Sequence, residues 1–160
     1  MKLSNRKCLL VVEDDEPKMR SVVTFLQEKL PAEFEVVCAT SLSSAIRLLS
    51  SRPVLLAIVD MSLPTFDFAI DRSGGQPQGF GGMDILRFIE SETPSTRSVV
   101  LTQYEEFPTG QDGVRRDISR LEQELKDELG TAFLGVIHYA GQQGDWRDQL
   151  SLCIDKVVTE

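Results

Sequence analysis

Acidic side chains follow two short apolar segments of this sequence. Glu13 and Asp14 come directly after an apolar run at residues 8–12, and Asp60 follows a second run at residues 54–59. Continuous apolar runs of this length are typical of strands that are buried on both faces of a parallel sheet. Because the carboxyl ends of such strands meet at one edge of the sheet, we expect the three carboxylates to lie in one pocket.

Three carboxylates in one small pocket repel one another unless a cation lies among them. Mg²⁺ prefers oxygen ligands and water, so this pocket is predicted to bind Mg²⁺. Such an ion also neutralises a phosphoryl group during transfer, which makes Asp60 a candidate nucleophile. Thr102, at the end of another apolar run, is a candidate donor to a phosphoryl oxygen. The structural alternatives are that Asp60 only caps a loop and that Thr102 is an ordinary β-branched strand residue.

The hydrophobic periodicity predicts five strands that alternate with five helices. Short apolar strands that lead into crossover helices imply right-handed βαβ units. The predicted fold is therefore α/β, a doubly wound flavodoxin-like three-layer sandwich whose parallel sheet has the order 2-1-3-4-5. The predicted strands are residues 8–12, 34–39, 54–59, 98–102 and 133–139. The predicted helices begin near Pro17, Ser41 or Ser43, Ile85, Val114 and Asp145.

Length and charge narrow the classes of function. The chain has 160 residues and a formal net charge of −8, which fits one domain over residues 1–160. The acidic charge disfavours direct binding to nucleic acid or to an anionic membrane, and no apolar run approaches the length of a membrane span. Three cysteines far apart in apolar or amphipathic contexts favour buried thiols in a reducing cytoplasm. They are Cys8, Cys38 and Cys153.

Four motifs together resemble the receiver domain of two-component response regulators. They are Val-Val-Glu-Asp-Asp at residues 11–15, Val-Asp-Met-Ser-Leu-Pro at residues 59–64, Gly-Met-Asp-Ile-Leu at residues 82–86 and Val-Leu-Thr at residues 100–102. The resemblance covers nearly the whole chain. It implies a stand-alone receiver in a phosphorelay that acts through protein–protein contacts and is not an enzyme beyond its own phosphorylation and dephosphorylation.

The resemblance also implies roles for individual residues. Asp60 would accept a phosphoryl group from a histidine kinase or phosphotransfer protein, and Thr102 would be the switch hydroxyl. Glu13, Asp14, Asp60 and the main-chain carbonyl of Ser62 would hold Mg²⁺. The signal would pass to an unidentified output protein, or to a second copy of the chain, through the face formed by helix 4, strand 5 and helix 5.

The chain departs from the family pattern at the end of strand 5. The family has a lysine there, whose ammonium pairs with the acids, whereas this chain has His138 at roughly that position. Beside carboxylates His138 could be cationic and substitute in part for the lysine; the alternative is a partly buried histidine with no role in signalling. Gln103 stands where the family usually has a small residue, so it is a candidate for control of access to Asp60.

A second departure is an insertion at residues 65–82, after the acceptor aspartate. Phe66, Phe68 and Ile70 alternate with polar or small residues, as in a short hairpin, and the glycines that follow could act as hinges of a lid. The alternative is a surface loop with no role in chemistry. Asp67 and Asp71 are candidates for a further metal oxygen, with solvated side chains as the alternative.

The fourth predicted helix, residues 114–129, is the third departure. Its length would be about 24 Å, more than a five-residue strand can cover, so part of it is expected to project. A two-helix seam is one interpretation of its apolar spacing, and packing on the domain's own sheet is the other.

Two other classes of function are compatible with the sequence. One is a pseudo-receiver, a protein-binding module that works without phosphorylation, which the missing lysine and Gln103 favour. The other is a Mg²⁺-dependent phosphohydrolase or Toprim-type enzyme. Such enzymes typically carry an Asp-x-Asp motif, whereas this chain has Ser62 at the position of the second aspartate after Asp60.

Overall fold

The computed structural model of the chain describes residues 7–63, 81–103, 106–108, 115–140 and 145–158. Strands and helices alternate along most of these residues, as the periodicity predicts. In chain order the elements are β1 (Lys7–Val12), α1 (Glu16–Lys29), β2 (Phe34–Ala39), α2 (Leu42–Ser51), β3 (Leu56–Val59), α3 (Gly81–Glu92), β4 (Arg97–Thr102), β5 (Glu106–Pro108), β6 (Arg115–Asp117), α4 (Ile118–Leu129), a 3₁₀ turn (Gly130–Ala132), β7 (Phe133–His138) and α5 (Trp146–Val158).

Five strands form one parallel sheet in the order β2-β1-β3-β4-β7. Since β7 is the fifth strand of this sheet, the order is the predicted 2-1-3-4-5, and the predicted α/β three-layer fold is confirmed. After β2, which lies on one side of β1, the chain crosses over and adds β3 and the later strands on the other side of β1. β1 and β3 therefore lie side by side, with Val12 opposite Val59. Open α/β sheets bind ligands at such a switch point, beyond the carboxyl ends of the strands.

Two apolar cores cover the two faces of the sheet. Successive side chains of a strand point to opposite faces, so Leu9 and Val11 of β1 lie in one core and Leu10 and Val12 lie in the other. The first core contains residues of α1 and α5, and the second contains residues of α2, α3 and α4. Two separate groups of helices therefore contact the sheet, one on each side.

The beginnings of α1 and α2 follow from their capping residues. The Asp15 carboxylate accepts the main-chain N–H of Lys18 at 3.0 Å, and Pro17 lies in the first turn, where a helix loses no hydrogen bond to it. Ser41 and Ser44 form a reciprocal capping box at the start of α2. The predicted start near Ser41 is confirmed.

The fourth helix is shorter than predicted. Residues Arg115–Asp117 form β6, which pairs antiparallel with β5, and α4 begins only at Ile118. The Asp117 carboxylate accepts the N–H of Arg120 at 2.9 Å, so Asp117 is the N-cap of the helix. Twelve residues span about 18 Å. The prediction of a projecting helix over residues 114–129 was therefore wrong at its start, whereas its predicted end at Gly130 is confirmed by the positive φ of 78° there.

The insertion predicted at residues 65–82 is shorter at its carboxyl end. Gly81 and Gly82 are buried in the first turn of α3, so they are not hinge residues of a loop. Phe66, Phe68, Ile70, Asp67 and Asp71 lie outside the described residues.

One cysteine differs from its prediction. Cys8 and Cys153 are buried, but Cys38 is exposed because β2 is the edge strand of the sheet. All three are free thiols. Among the described residues, no helix is long and apolar enough to cross a membrane.

Candidate functional site: an acidic pocket with a buried lysine

The acidic pocket lies at the carboxyl ends of β1 and β3. Main-chain hydrogen bonds continue one residue past the strands: Asp60 N donates to the carbonyl of Val12, and Glu13 N donates to the carbonyl of Ala39, both at 3.0 Å. Ligand atoms of Glu13, Asp14 and Asp60 all lie within 4.8 Å of one another. The structure thus brings together the three carboxylates that the sequence places after two different strands.

The three acids differ in exposure. Glu13 and Asp60 are buried, with 3% and 6% of their surfaces exposed, whereas Asp14 is exposed to solvent. A buried carboxylate is costly unless it is paired or hydrogen-bonded. The pocket therefore requires a positive partner for its two buried acids.

That partner is Lys18, in the first turn of α1. Its side chain is 2% exposed, and its Nζ lies 2.6 Å from Glu13 Oε1 and 3.4 Å from Asp60 Oδ1. The same ammonium donates to the main-chain carbonyl of Leu101 in β4 at 2.8 Å. Lys18 therefore ties helix α1 to the ends of three neighbouring strands of the sheet.

Burial dominates the titration of the buried acids. Desolvation raises the pKa of Glu13 to about 7, although the ammonium of Lys18 acts in the opposite direction. Desolvation also raises the pKa of Asp60; Lys18 again opposes the shift, and the charge of Asp14 adds to it. One ammonium therefore compensates only part of the negative charge, which leaves the pocket able to accept a further cation.

The donor set fits Mg²⁺. The ion binds through carboxylate oxygens and keeps several waters, so two or three acids beside solvent are a suitable cradle. Each carboxylate has about four lone-pair positions. Glu13 uses one oxygen for Lys18 and the other for the N–H of Asp15 at 3.1 Å, and capacity for a metal remains on both.

The segment after Asp60 is held in place by α3. The N–H of Gly82 donates to the carbonyl of Met61 at 3.0 Å. A Cβ on Gly82 would collide with the carbonyl of Asp60 and would lie 2.7 Å from Met61 Cα, and one on Gly81 would lie 2.5 Å from the carbonyl of Leu63. Two glycines at the start of α3 thus allow its backbone to contact the turn that carries Asp60.

Thr102, Gln103 and His138 lie at the neighbouring end of β4 and β7. Thr102 is fully buried, opposite His138 in the sheet, and its carbonyl accepts the N–H of Tyr139 at 2.7 Å. Gln103 is exposed, and its main-chain oxygen lies 3.3 Å from Nε2 of His138. Thr102 is thus the last residue of β4, the strand next to β3. The imidazole of His138 lies against the backbone of the residue after it, Gln103.

Solved structures share this fold. A chain from the complex of the P1 domain of CheA3 with CheY6 from R. sphaeroides matches with a TM-score of 0.61 and 17% identity, over 96% of this chain and 98% of that one. The signal receiver domain of an HD domain-containing protein from Pseudomonas fluorescens Pf-5 matches with a TM-score of 0.63 and 19% identity, over 97% and 96%. A CheY-like response regulator receiver domain protein from Methanospirillum hungatei JF-1 matches with a TM-score of 0.62 and 17% identity, over 97% and 96%.

This chain has the receiver-domain fold. The matches extend over nearly the full length of both partners, so the resemblance inferred from the four sequence motifs is confirmed at the level of the fold. No protein-family profile matches the chain, and no curated protein matches its sequence.

Within this receiver fold the cation beside the acids comes from an unexpected element. The sequence places no lysine at the end of the fifth sheet strand, and His138 was one candidate to substitute for it in part. In the structure the ammonium that contacts Glu13 and Asp60 is that of Lys18 in α1. A role of His138 in the pocket stays a prediction.

Lys18 is the residue that the sequence analysis missed, although a signal was present. Lys18, Val22 and Leu26 are spaced four residues apart and form the buried face of α1. A lysine that continues an apolar helical face must find acceptors in the interior. It also stands in the first turn, where the helix dipole disfavours a cation and where side chains lean back towards the preceding strand end.

Proposed function

We propose that this chain is a receiver of a two-component phosphorelay, a single domain over residues 1–160 that accepts a phosphoryl group on Asp60 in the presence of Mg²⁺. The observation that supports this most is the convergence of Glu13, Asp14 and Asp60 at the switch point of a receiver fold. Asp60 is the one of the three that follows the central strand β3, and like Glu13 it contacts the buried ammonium of Lys18.

Transfer of the phosphoryl group to Asp60 forms one bond to phosphorus and breaks one. An oxygen of the Asp60 carboxylate bonds to phosphorus, the bond between phosphorus and the donor's leaving atom breaks, and the leaving group departs with the electron pair. Mg²⁺, when held by Glu13, Asp14, Asp60 and the main-chain carbonyl of Ser62, supplies charge neutralisation for the phosphoryl oxygens. The backbone hydrogen bonds at Asp60 and the packing of Gly82 fix the position of the nucleophile.

Neighbouring side chains have proposed roles in the same step. Thr102 is the switch hydroxyl, which donates to a phosphoryl oxygen from the end of β4. Gln103, exposed directly after it, controls access to Asp60. The role of Thr102 depends on a bound phosphoryl group and is tested in the modified protein, whereas control of access by Gln103 is tested by the rate at which the phosphoryl group is taken up.

The proposed partners are proteins. A histidine kinase or phosphotransfer protein supplies the phosphoryl group, and the match to a chain of a complex between a P1 domain and a CheY protein supports this class of partner. The output partner is an unidentified protein or a second copy of the chain. The net charge of −8 supports the proposal that neither nucleic acid nor a membrane is bound directly. The three free cysteines support the proposal that the protein acts in a reducing cytoplasm.

Intact mass after incubation with acetyl phosphate and Mg²⁺ tests the proposal. The unmodified sequence should gain one phosphoryl group that hydroxylamine removes, because acyl phosphates react with that nucleophile. Asp60→Ala should gain none, whereas Asp84→Asn, a change of an exposed acid in α3, should behave as the unmodified sequence does. No gain with acetyl phosphate, phosphoramidate or a phosphorylated histidine protein would overturn the proposal.

A pseudo-receiver is the second candidate, and Lys18 favours it. The ammonium already neutralises part of the charge of Glu13 and Asp60 without metal or phosphate. A protein-binding module needs only a stable folded pocket, and the contacts of Lys18 with the two acids stabilise one without a further ligand. An unmodified Asp60 with every donor, together with unchanged melting in Mg²⁺, would select this candidate, and a metal-dependent hydrolase would instead be revealed by turnover of a phosphate ester.

A further inference from the structure

Lys18 connects the acidic pocket to an aromatic cluster on one side of the sheet. Its Nζ lies 5.5 Å from the centroid of the Tyr139 ring, while it contacts Asp60 Oδ1 at 3.4 Å. An ammonium over an aromatic face is attracted by the ring quadrupole. One side chain thus contacts both the proposed acceptor and the residue that follows β7.

Tyr139 continues this connection to α5 and α1. Its ring centroid is 5.1 Å from that of Trp146, which is fully buried at the start of α5. Phe25 of α1 meets Trp146 edge-on at 5.5 Å, and the guanidinium of Arg147 lies 4.5 Å from the Trp146 ring centroid. We define the aromatic cluster as Tyr139, Trp146 and Phe25.

The charge of the pocket changes when Asp60 is modified. The carboxylate loses its own charge and gains a phosphoryl group of about −1.5 to −2. Hydrogen bonds between an ammonium and phosphoryl oxygens are stronger than those to a neutral carbonyl. The bond between Lys18 and the carbonyl of Leu101, 2.8 Å long in this structure, is therefore the contact that Lys18 gives up most readily.

We propose that Lys18 is the ammonium that binds the phosphoryl group on Asp60, and that its movement away from Leu101 and Tyr139 carries the signal to the aromatic cluster, which joins α1 and α5. This inference rests on the proposed phosphorylation of Asp60. The path differs from the predicted output face in its helices: it runs through α1 and α5, whereas α4, which belongs to the predicted face together with α5, packs on the opposite side of the sheet.

Trp146 supplies a direct readout, since it is the single tryptophan of the chain. Acetyl phosphate and Mg²⁺ are added, and Trp146 fluorescence and intact mass are followed in the same samples. In the unmodified sequence both should change with one time course. Lys18→Met should slow uptake of the phosphoryl group by about ten-fold or more, as loss of a donor to developing charge does. It should also abolish the change in fluorescence per phosphoryl group bound.

Two further variants separate uptake of the phosphoryl group from its effect on Trp146. Tyr139→Leu removes the ring under Lys18, so uptake should stay within about two-fold while the fluorescence change of Trp146 falls by more than half. Leu152→Ala, a change of an exposed residue in α5, is the control, and it should leave both signals as they are. Equal loss of fluorescence change in the two variants would overturn the path through Tyr139.

The outcomes for Lys18 are distinct from those for Asp60. If the unmodified sequence gains no phosphoryl group, the proposed function fails and this inference fails with it. If it does gain one and Lys18→Met matches it in rate and in fluorescence change, only this inference is overturned. If Lys18→Met does not fold, Lys18→Arg replaces it. The guanidinium keeps the charge but not the compact geometry, so uptake should continue with less than half the fluorescence change, and an unchanged response would contradict the path.

Discussion

The carboxylate of Glu122, in α4, accepts the main-chain N–H of Val136, in β7, at 2.7 Å. The pairing of β4 with β7 shifts register between Ser98 and Val100, opposite this part of β7. Gly135, with φ of 141°, lies directly beside the carboxylate: a Cβ there would be 2.8 Å from Glu122 Oε2. A side chain from the helix therefore satisfies a strand N–H at the irregularity, and only glycine leaves room for it.

Glu122→Ala should destabilise the protein by about 1–3 kcal/mol, because it leaves the N–H of Val136 in a mostly buried position without its acceptor. Urea unfolding measures the change. Glu124→Ala, on the exposed face of the same helix and paired with Arg120 at 3.5 Å, is the matched control and should cost less than about 0.5 kcal/mol. Equal costs for the two variants would show that the bond to β7 contributes nothing of its own.

Gly82→Ala should destabilise the protein by about 1–3 kcal/mol and weaken its response to Mg²⁺, because the new Cβ meets the backbone of Asp60 and Met61 and must displace it. Melting with and without Mg²⁺ is the measurement. Gly130→Ala is a control for backbone strain alone, since Gly130 has a positive φ but nothing within 4 Å of its Cβ position. It should lower stability while the rise in melting temperature with Mg²⁺ persists. A normal Mg²⁺ response in Gly82→Ala would contradict the role of α3 in positioning Asp60.

The order of the sheet was predictable because the strands are nearly continuous apolar runs. Runs such as residues 8–12 and 54–59 are typical of strands buried on both faces of a parallel sheet. The first corresponds to β1, and the second contains β3, which begins two residues later than predicted, at Leu56. Topological rules then leave few arrangements. The convergence of Glu13 and Asp60 followed from the fold, since each directly follows one of these strands.

The start of α4 and the role of Lys18 were not predictable in the same way. Val114 continues the helical spacing of the residues after Ile118, so periodicity alone extended the helix through a segment that pairs with β5 instead. Lys18 is charged, so hydrophobic periodicity does not indicate that it belongs to the buried face of α1. Its acceptor at Leu101 lies 83 residues away in sequence, and only the folded sheet brings the two together.

Mg²⁺ should raise the melting temperature, because it binds the folded pocket and not the unfolded chain. Metal at ten times its dissociation constant would stabilise the fold by about 1.4 kcal/mol, or roughly 3–6 °C for a chain of this size. Asp14→Asn should abolish this rise, and it should stabilise the metal-free protein because it relieves repulsion from Asp60. Asp84→Asn is the exposed control and should keep the full rise. Melting that is indifferent to millimolar Mg²⁺ in the unmodified sequence would argue against the metal site.

The stability of the metal-free protein should fall as pH rises through about 7. Burial raises the pKa of Glu13 from its ordinary value of 4.5 to about 7, so the folded protein holds this proton more tightly than the unfolded chain does. The resulting contribution to stability is complete below the unfolded pKa and is lost as pH rises through the folded pKa. The raised pKa of Asp60 acts in the same direction.

Urea unfolding in EDTA between about pH 5 and 8 measures this loss. Glu13→Gln should flatten the dependence, because it removes the ionisation at the position that faces Lys18. Glu90→Gln, an exposed change in α3, should leave the slope as it is. Mg²⁺ should reduce the loss, because the metal favours the ionised carboxylates that burial disfavours. A stability that rises with pH across this interval in EDTA would mean that the ammonium of Lys18, and not burial, determines the ionisation of Glu13.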